Sequence, residues 1–407
     1  MVSLILLGAL SRAAANERQE MRMNFELTAD QLAIQNQVGE FADRAIAPVA
    51  EQLDREGKFP YDLYRQLGDL GIPALPFAEE YGGLGLGTFD MALAIEQIAK
   101  RDQTLAVTMM VSVAAGLIIQ RFGTTEQKER YLPDIIKGRA LGALAGTEAD
   151  AGSDTAGFKT RAVRDGDEWT INGSKAYITN AGTEISSVAL TLAATTPLDA
   201  EKKEFSLFAV PRKTAGYEQG EPYRKMGWRS GDTRPLYFDD CKVAHAAMLG
   251  NEGQGRLLLH RGYQQARVFL AACSLGLANG ALDLSVKYAN ERRAFGKTIG
   301  GHQLVQEMCA QMAVKVEAAR MLTYRAAWLS DKGVATVKDL AFAKYFACEI
   351  GTEVANMAVQ IHGGWGFMDD CAVSRYLRDN RICTIGDGSS QIQLQLIARG
   401  LGLDVQF

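Results

Sequence analysis

Trp169-Thr170-Ile171-Asn172-Gly173-Ser174-Lys175-Ala176-Tyr177-Ile178-Thr179-Asn180 lies near the middle of the chain, and its reading decides how the rest is divided. Residues 169–171 and 176–179 carry aromatic and β-branched side chains, which suit a pleated, half-buried surface. Between them, Asn-Gly is the dipeptide that most readily takes the left-handed positions of a tight hairpin. The expectation is two strands joined at Asn172-Gly173. Just upstream, residues 160–163 and 169–171 flank a second turn, Arg164-Asp165-Gly166-Asp167. Further strand-like runs at 187–192, 205–210 and 236–238 make residues 141–254 a small antiparallel β-domain.

Outward from this segment the hydrophobic period becomes helical. On the N-terminal side, Thr28 and Gln31 have the spacing of a capping box, ahead of Leu32, Gln35, Val38 and Phe41 at helical intervals. Gly71-Ile72-Pro73 and Tyr81-Gly82-Gly83 punctuate shorter helices that follow. On the C-terminal side, Leu304, Met308, Met312, Val316, Ala319, Leu322 and Ala326 form one apolar stripe, read as core. Thr336 is a suitable N-cap for another long helix, and Gly363-Gly364 a suitable stop. The fold class is mainly α with a central β-domain. Its parts are an extension (1–23), an N-terminal helical domain (24–140), the middle β-domain (141–254) and a C-terminal helical domain (255–407).

Composition narrows the function. The 407 residues carry 44 basic and 48 acidic side chains, without a basic stripe to neutralise phosphates, so nucleic acid is not expected as a partner. The six cysteines form no CxxC pair and the four histidines no HxxxH, which speaks against structural zinc and a disulfide framework. A reducing, cytoplasmic setting is the expectation, with a mitochondrial matrix second. The apolar run 2–10 is too short to span a bilayer and is preceded by no basic residue, so neither membrane insertion nor export is expected. No strand–GxGxxG–helix unit and no GxxxxGK[ST] loop occurs.

Four short segments carry chemistry. Gly146-Thr147-Glu148-Ala149-Asp150-Ala151-Gly152-Ser153-Asp154 offers small residues and hydroxyls to a ligand, or is simply a polar loop. In Lys175-Ala176-Tyr177-Ile178-Thr179-Asn180, strand alternation places an aromatic and a hydroxyl on one face, where they could cover a flat ring or merely pack. Gln360-Ile361-His362-Gly363-Gly364-Trp365-Gly366-Phe367, followed by Asp370, Arg375 and Asp379, either frees backbone donors for a ligand or ends a helix. Ile385-Gly386-Asp387-Gly388-Ser389-Ser390-Gln391-Ile392-Gln393 puts a carboxylate between two glycines, against a substrate or in a surface turn.

Together, and in this order, the four segments resemble the acyl-CoA dehydrogenase family, over residues 24 to about 404. The third fits the family's C-terminal signature at every restricted position, and the first fits its signature apart from Gly146, where an aliphatic residue is usual. The resemblance implies a C-terminal four-helix bundle, assembly as a homotetramer, and FAD between the β-domain and the C-terminal helices, its adenosine end reaching a neighbouring subunit. It places Thr147, Tyr177 and Thr179 at the flavin ring, with Ile178 and Ser153 also in the cofactor site. Arg292, His302, Gln303, Gln360, Gly363, Gly364, Ser389 and Gln391 fall along the rest of FAD. Ser153, Arg267, Gly388 and Arg399 fall where the family holds the CoA thioester. Asp387 takes the place of the catalytic carboxylate.

The implied reaction is α,β-dehydrogenation of an acyl-CoA to the trans-2-enoyl-CoA, as in β-oxidation of fatty acids, with electron-transfer flavoprotein as acceptor. The family usually has Glu where this chain has Asp387, one carbon–carbon bond or about 1.5 Å shorter in reach. Relatives that carry the base on the first long C-terminal helix have it where this chain has Ala266. Ala149, Ala294, Gln264 and Leu394 also depart from the usual residues, Ala294 at a contact to FAD and Gln264 at one to the CoA arm. Gly386 leaves room beside the α-carbon, and Val107, Met109, Met110 and Leu270 are candidates for the acyl channel, which suggests a short or branched acyl group. The alternative is a flavin oxidase on the same fold, like the nitroalkane oxidases, using Asp387 as base. A protein that keeps the fold without catalysis is a third reading.

Overall fold

The computed structural model describes residues 26–405, so the extension expected at 1–23 lies outside the described residues. Helix α1 (Ala29–Phe41) starts as the sequence predicts. The Gln31 amide donates to the Thr28 hydroxyl at 3.2 Å and the Thr28 amide to the Gln31 side chain at 3.1 Å. Helices α2 (Ala50–Glu56), α3 (Tyr61–Asp69), α4 (Thr88–Ala99), α5 (Gln103–Phe122) and α6 (Thr125–Ile136) follow. Helix α5 is apolar on nearly all sides and is buried on nearly all sides, which marks it as the centre of a packed layer.

The β-domain contains β1 (Leu141–Ala145), β2 (Arg161–Asp165), β3 (Glu168–Thr179), β4 (Ser186–Ala194), β5 (Phe205–Pro211), β6 (Tyr217–Gln219), β7 (Thr233–Ala244) and β8 (Met248–Leu249). They form one sheet in the order β6-β7-β3-β2-β4-β5-β8, with β1 beside β4. Pairing is antiparallel apart from β1 with β4 and a single β2–β4 contact, both parallel. The turn expected around Gly166 joins β2 to β3, with Asp165 paired to Glu168 and Gly166 at φ +60°.

Asn172-Gly173 is not a turn. Residues 168–179 form one continuous strand, and the Asn-Gly pair sits at a bulge where the register against β7 shifts between Ile171 and Gly173. Gly173 has φ +138°, and a Cβ there would lie 2.7 Å from the Thr160 Cα. The glycine serves close strand approach, which the dipeptide alone does not distinguish from a hairpin.

Helices α7 (Gly255–Glu291), α8 (Gln303–Asp331) and α9 (Val337–His362) pack on one another, with α10 (Ala372–Asn380) and α11 (Ser390–Gly400) against α9, α11 as the fourth helix of the bundle. Thr336 caps α9 by accepting from the Asp339 amide, and Gly363 ends it at φ +60°. The stripe on α8 holds at Met312, Val316, Ala319 and Ala326, which are buried, but Leu304 is 74% exposed, so the apolar face continues beyond this subunit's core. Helix α7 also packs on α4 and α5, so both ends of the chain share one core, while Trp169, Ile171, Phe208 and Phe238 belong to a second core inside the β-domain. Helices α5 and α7 are long and apolar enough to cross a membrane, yet most of their apolar length is covered by this core.

Candidate active site

The fourth sequence segment becomes a tight loop between residues 381–384 and α11. Asp387 has φ +51° and Gly388 φ +85°, two successive left-handed residues. Asp tolerates this region better than most side chains, but the conformation still costs about 1–2 kcal/mol and persists only where surroundings enforce it. Here they do. The Gly388 carbonyl accepts from Lys344 Nζ at 2.7 Å and Gln393 Nε2 at 2.9 Å, and Ser389 caps α11 by accepting from the Ile392 amide at 3.4 Å. Ser390 donates to the Glu349 carboxylate on α9.

The Asp387 carboxyl is half-buried and accepts no hydrogen bond among the described residues. Burial raises its pKa above the ordinary aspartate value, opposed by the charges of Lys344 and Arg267. Arg267 is itself 7% exposed, and its Nε has no hydrogen-bond partner. Tyr263, one turn earlier on α7, also registers the Asp387 charge. Its hydroxyl stands 3.1 Å from where a Cβ on Gly146 would be, so glycine at the family's usual aliphatic position makes room for this phenol. An unpaired carboxyl, an unpaired buried guanidinium and a phenol thus face one space, and a ligand with a carbonyl and an acidic C–H would satisfy them.

Gly146 links this space to the first two segments. Lys175 Nζ donates to the Gly146 carbonyl at 3.0 Å, and the Ala176 amide to the Thr147 carbonyl at 3.0 Å. Tyr177 lies in a second bulge of β3, between Lys175 and Ile178, at φ +62°. Simple alternation with Thr179 therefore does not set its direction; the bulge turns the ring outward, 60% exposed and 5.2 Å from Tyr223. Ile178 points into the β-domain core, leaving its backbone on the outer side. Ser153 is exposed on the loop after Thr147.

A second group gathers elsewhere. Arg292 ends α7, His302 and Gln303 begin α8, and Gln360, Gly363 and Gly364 end α9. The rings of Tyr288 and His362 stack at 4.3 Å, which fixes the ends of α7 and α9 side by side. His302 lies 3.3 Å from the Ala294 carbonyl, and a Cβ on Gly363 or Gly364 would meet nothing within 4 Å. On α9, sixteen residues separate Lys344 from Gln360, about 24 Å of helix rise, so this group is remote from Asp387 in the same subunit. Gln391 and Arg399 are exposed on α11, with Arg399 near its far end and donating to the Val405 carbonyl at 3.2 Å.

An open ring at Tyr177 above the Thr147 loop, and glycine backbone with free space at the helix ends, fit the two ends of an extended dinucleotide such as FAD. A concavity of about 410 Å³ lined by Gln35, Glu96, Lys100 and Arg320 shares no residue with either group.

Sequence reasoning missed two tasks. Glu148 and Lys175, in the first and second segments, form a buried ion pair at 2.9 Å, and the Glu148 carboxylate also accepts the amides of Lys159 at 2.7 Å and Thr160 at 3.0 Å. Arg375 and Asp379, which trail the third segment, tie domains together. Arg375 donates to Glu51 at 3.0 Å and to the Arg101 carbonyl at 2.7 Å, and Asp379 accepts the Trp228 amide at 2.7 Å. These partners are 11 to 324 residues apart in the chain, beyond any local pattern.

Comparison with known proteins places nearly the whole chain in one family. Profiles of the acyl-CoA dehydrogenase N-terminal, middle and C-terminal domains match residues 28–139, 143–241 and 253–402. A probable acyl-CoA dehydrogenase of Bacillus subtilis, YngJ, is 40% identical over 93% of this chain and 100% of its own length. An acryloyl-CoA reductase (NADH) of Anaerotignum propionicum is 38% identical over 93% of this chain and 96% of its own. The structure of butyryl-CoA dehydrogenase from Megasphaera elsdenii superposes with a TM-score of 0.90 at 34% identity, covering 94% of this chain and all of the other. A glutaryl-CoA dehydrogenase from Mycobacterium smegmatis, solved in complex with FADH2, gives a TM-score of 0.88 at 27% identity, over 94% and 96% of the two chains. Profiles spanning nearly the whole chain, and relatives of the same length and fold, lead to one conclusion: this protein is a member of the acyl-CoA dehydrogenase family, an oxidoreductase that uses FAD.

Proposed function

We propose that the protein dehydrogenates a short acyl-CoA thioester between its α and β carbons, with Asp387 removing the α-proton. The observation that carries this reading is the half-buried Asp387 carboxyl, free of hydrogen bonds and raised in pKa, beside the unpaired Arg267 guanidinium. Desolvation raises a carboxylate's basicity, and a base near the working pH transfers protons most effectively. Thr147, Tyr177 and Thr179 would hold the flavin ring, with the Ile178 backbone and Ser153 at its margin; Ser389 and Gln391 follow towards the pyrophosphate. When bound, FAD supplies the acceptor for the β-hydride. Gly388, next to the base, and Arg267 would meet the thioester, and Ser153 and Arg399 the longer CoA arm.

The remote cluster of Arg292, His302, Gln303, Gln360, Gly363 and Gly364 is too far from Asp387 to serve the same end of one cofactor. It suits the adenosine half of an FAD whose ring lies in a neighbouring copy, which makes a homotetramer the economical assembly. Electrons would then pass to electron-transfer flavoprotein. Tyr263 occupies space beside Asp387, and the butyryl-CoA dehydrogenase relative acts on a short thioester by name; both favour a short or branched acyl group. A relative named as a reductase shows that this fold accommodates a reduction, so direction belongs in the test.

The test is an anaerobic titration with straight and branched acyl-CoA thioesters, followed by bleaching of the flavin absorbance. Rapid bleaching by C4–C5 thioesters, absent in Asp387→Asn, is the expected result. Hydrogen peroxide release from a nitroalkane, with no bleaching by any thioester, would replace this reading with the oxidase one. Normal turnover by Asp387→Asn would place the base elsewhere.

A further inference from the structure

Lys344, two turns into α9, is completely buried, and its ammonium makes one hydrogen bond, to the Gly388 carbonyl at 2.7 Å. No carboxylate pairs with it among the described residues. A buried cation held by a lone carbonyl is expensive, and a methionine of similar shape would fill the same space at lower cost. Its surroundings show what offsets that cost. The carbonyl it holds belongs to the second of the two left-handed residues in the Asp387 loop, and Gln393 Nε2 donates to the same oxygen at 2.9 Å. With Ser390 donating to Glu349, this fastens the loop to α9 and to its own helix immediately after Asp387.

We propose that Lys344 is a positioning residue for the base. Its ammonium locks the Gly388 carbonyl, keeps Asp387 in its left-handed conformation with the carboxyl aimed at the Arg267 side, and keeps a cation behind that carboxyl. The proposal rests on the reading of Asp387 as the base. The groups that face the Asp387 charge are Lys344 and Cys348 from α9, and Tyr263, Arg267 and Cys273 from α7. Burial raises the Cys273 thiol and the Tyr263 phenol, and Lys344 and Arg267 are the charges that oppose the rise in the Asp387 carboxyl. Lys344 is the one of the two that also holds the loop.

The experiment compares Lys344→Met, Gln393→Met and Asp387→Asn holoenzymes with the parent, using the acyl-CoA that bleaches the parent fastest. In Lys344→Met, kcat should fall at least about tenfold, as expected when a base loses its geometry, while flavin content is retained. The acid limb of its kcat/KM profile should move to higher pH, because the carboxylate has lost a neighbouring cation. Gln393→Met removes the other donor to the same carbonyl without touching charge, so kcat should fall with the acid limb unmoved. If Lys344→Met does not retain FAD, Lys344→Arg replaces it; a lowered kcat with the parent's acid limb is then expected. A parental kcat and acid limb in Lys344→Met, or a displaced limb in Lys344→Arg, would overturn the proposal while Asp387→Asn stays inactive. An active Asp387→Asn would instead defeat the underlying assignment of the base.

Discussion

Glu148, buried, and Asp387, half-buried, are carboxylates near a buried lysine, and their surroundings push them in opposite directions. Burial would raise Glu148, but the Lys175 charge and the donated hydrogen bonds outweigh it, so this group titrates below the usual glutamate range. Burial of Lys175 pushes its pKa down to about 8, opposed by Glu148, which leaves the lysine charged at neutral pH. At Asp387 burial wins over Lys344 and Arg267, because neither cation bonds to the carboxylate. One carboxylate accepts three hydrogen bonds and holds a loop together; the other is left open and can act. The contrast separates a buried charge that organises structure from one that performs chemistry, within a single subunit.

The largest effect should come from Asp387→Asn, which removes the proposed base and should lower anaerobic flavin reduction by about 10²–10⁴-fold. Its stability should move the other way. A raised carboxyl pKa means that ionising Asp387 costs the folded state. No cost exists below the unfolded pKa, where both states hold the proton, and the full cost applies above the raised folded value. Asp387→Asn should therefore show a higher unfolding midpoint at neutral pH, with an advantage that vanishes as the pH is lowered through that window. A lower midpoint at neutral pH would break the comparison.

Glu148→Gln should lose about 3–5 kcal/mol in denaturant unfolding, since Lys175 would remain buried without its counter-charge. Because Glu148 titrates below its unfolded value, its contribution is present above the ordinary glutamate range and is lost as pH falls through the lowered folded value. The deficit of Glu148→Gln should shrink in acid, with the sign opposite to that at Asp387. Gly388→Ala sharpens the contrast further. A Cβ there would lie 2.7 Å from Gln393 Nε2 at a φ of +85°, so turnover should fall at least about tenfold, measured against a stability loss of only about 1–2 kcal/mol. The smallest effect belongs to Lys159→Ala. Only the backbone amide of this residue serves Glu148, and its side chain makes an exposed pair with Asp150, so the unfolding free energy should change by less than about 0.5 kcal/mol.

Much of the fold could be read from local pattern. The caps at Thr28 and Thr336, the turn at Gly166 and the stop at Gly363 are each determined by residues within one helical turn or one hairpin, and there the expectations hold. Asn172-Gly173 failed because the same backbone freedom serves a hairpin or a bulge, and Thr160, which decides between them, is distant in sequence. Tyr177 pointed outward for a reason alternation does not contain. The Asp387 loop was visible as a carboxylate between glycines, but Lys344, 44 residues earlier and buried among apolar neighbours, had no local mark. Glu148 and Lys175 stood inside quoted segments, yet their pairing depends on two strands meeting. A clue was available in retrospect: a lysine in an otherwise apolar, β-rich run needs a partner.

The handedness of the loop has a consequence for variation at position 387. Only glycine, asparagine and aspartate enter the left-handed region with ease, and of these only aspartate carries a carboxyl. A saturation library at this position would be screened first by backbone shape and only then by proton affinity. Glutamate would gain reach while surrendering local fit, so introducing the longer acid calls for a second change that relaxes the turn. In this chain the path between the two acids is a coupled pair of substitutions, not a single step.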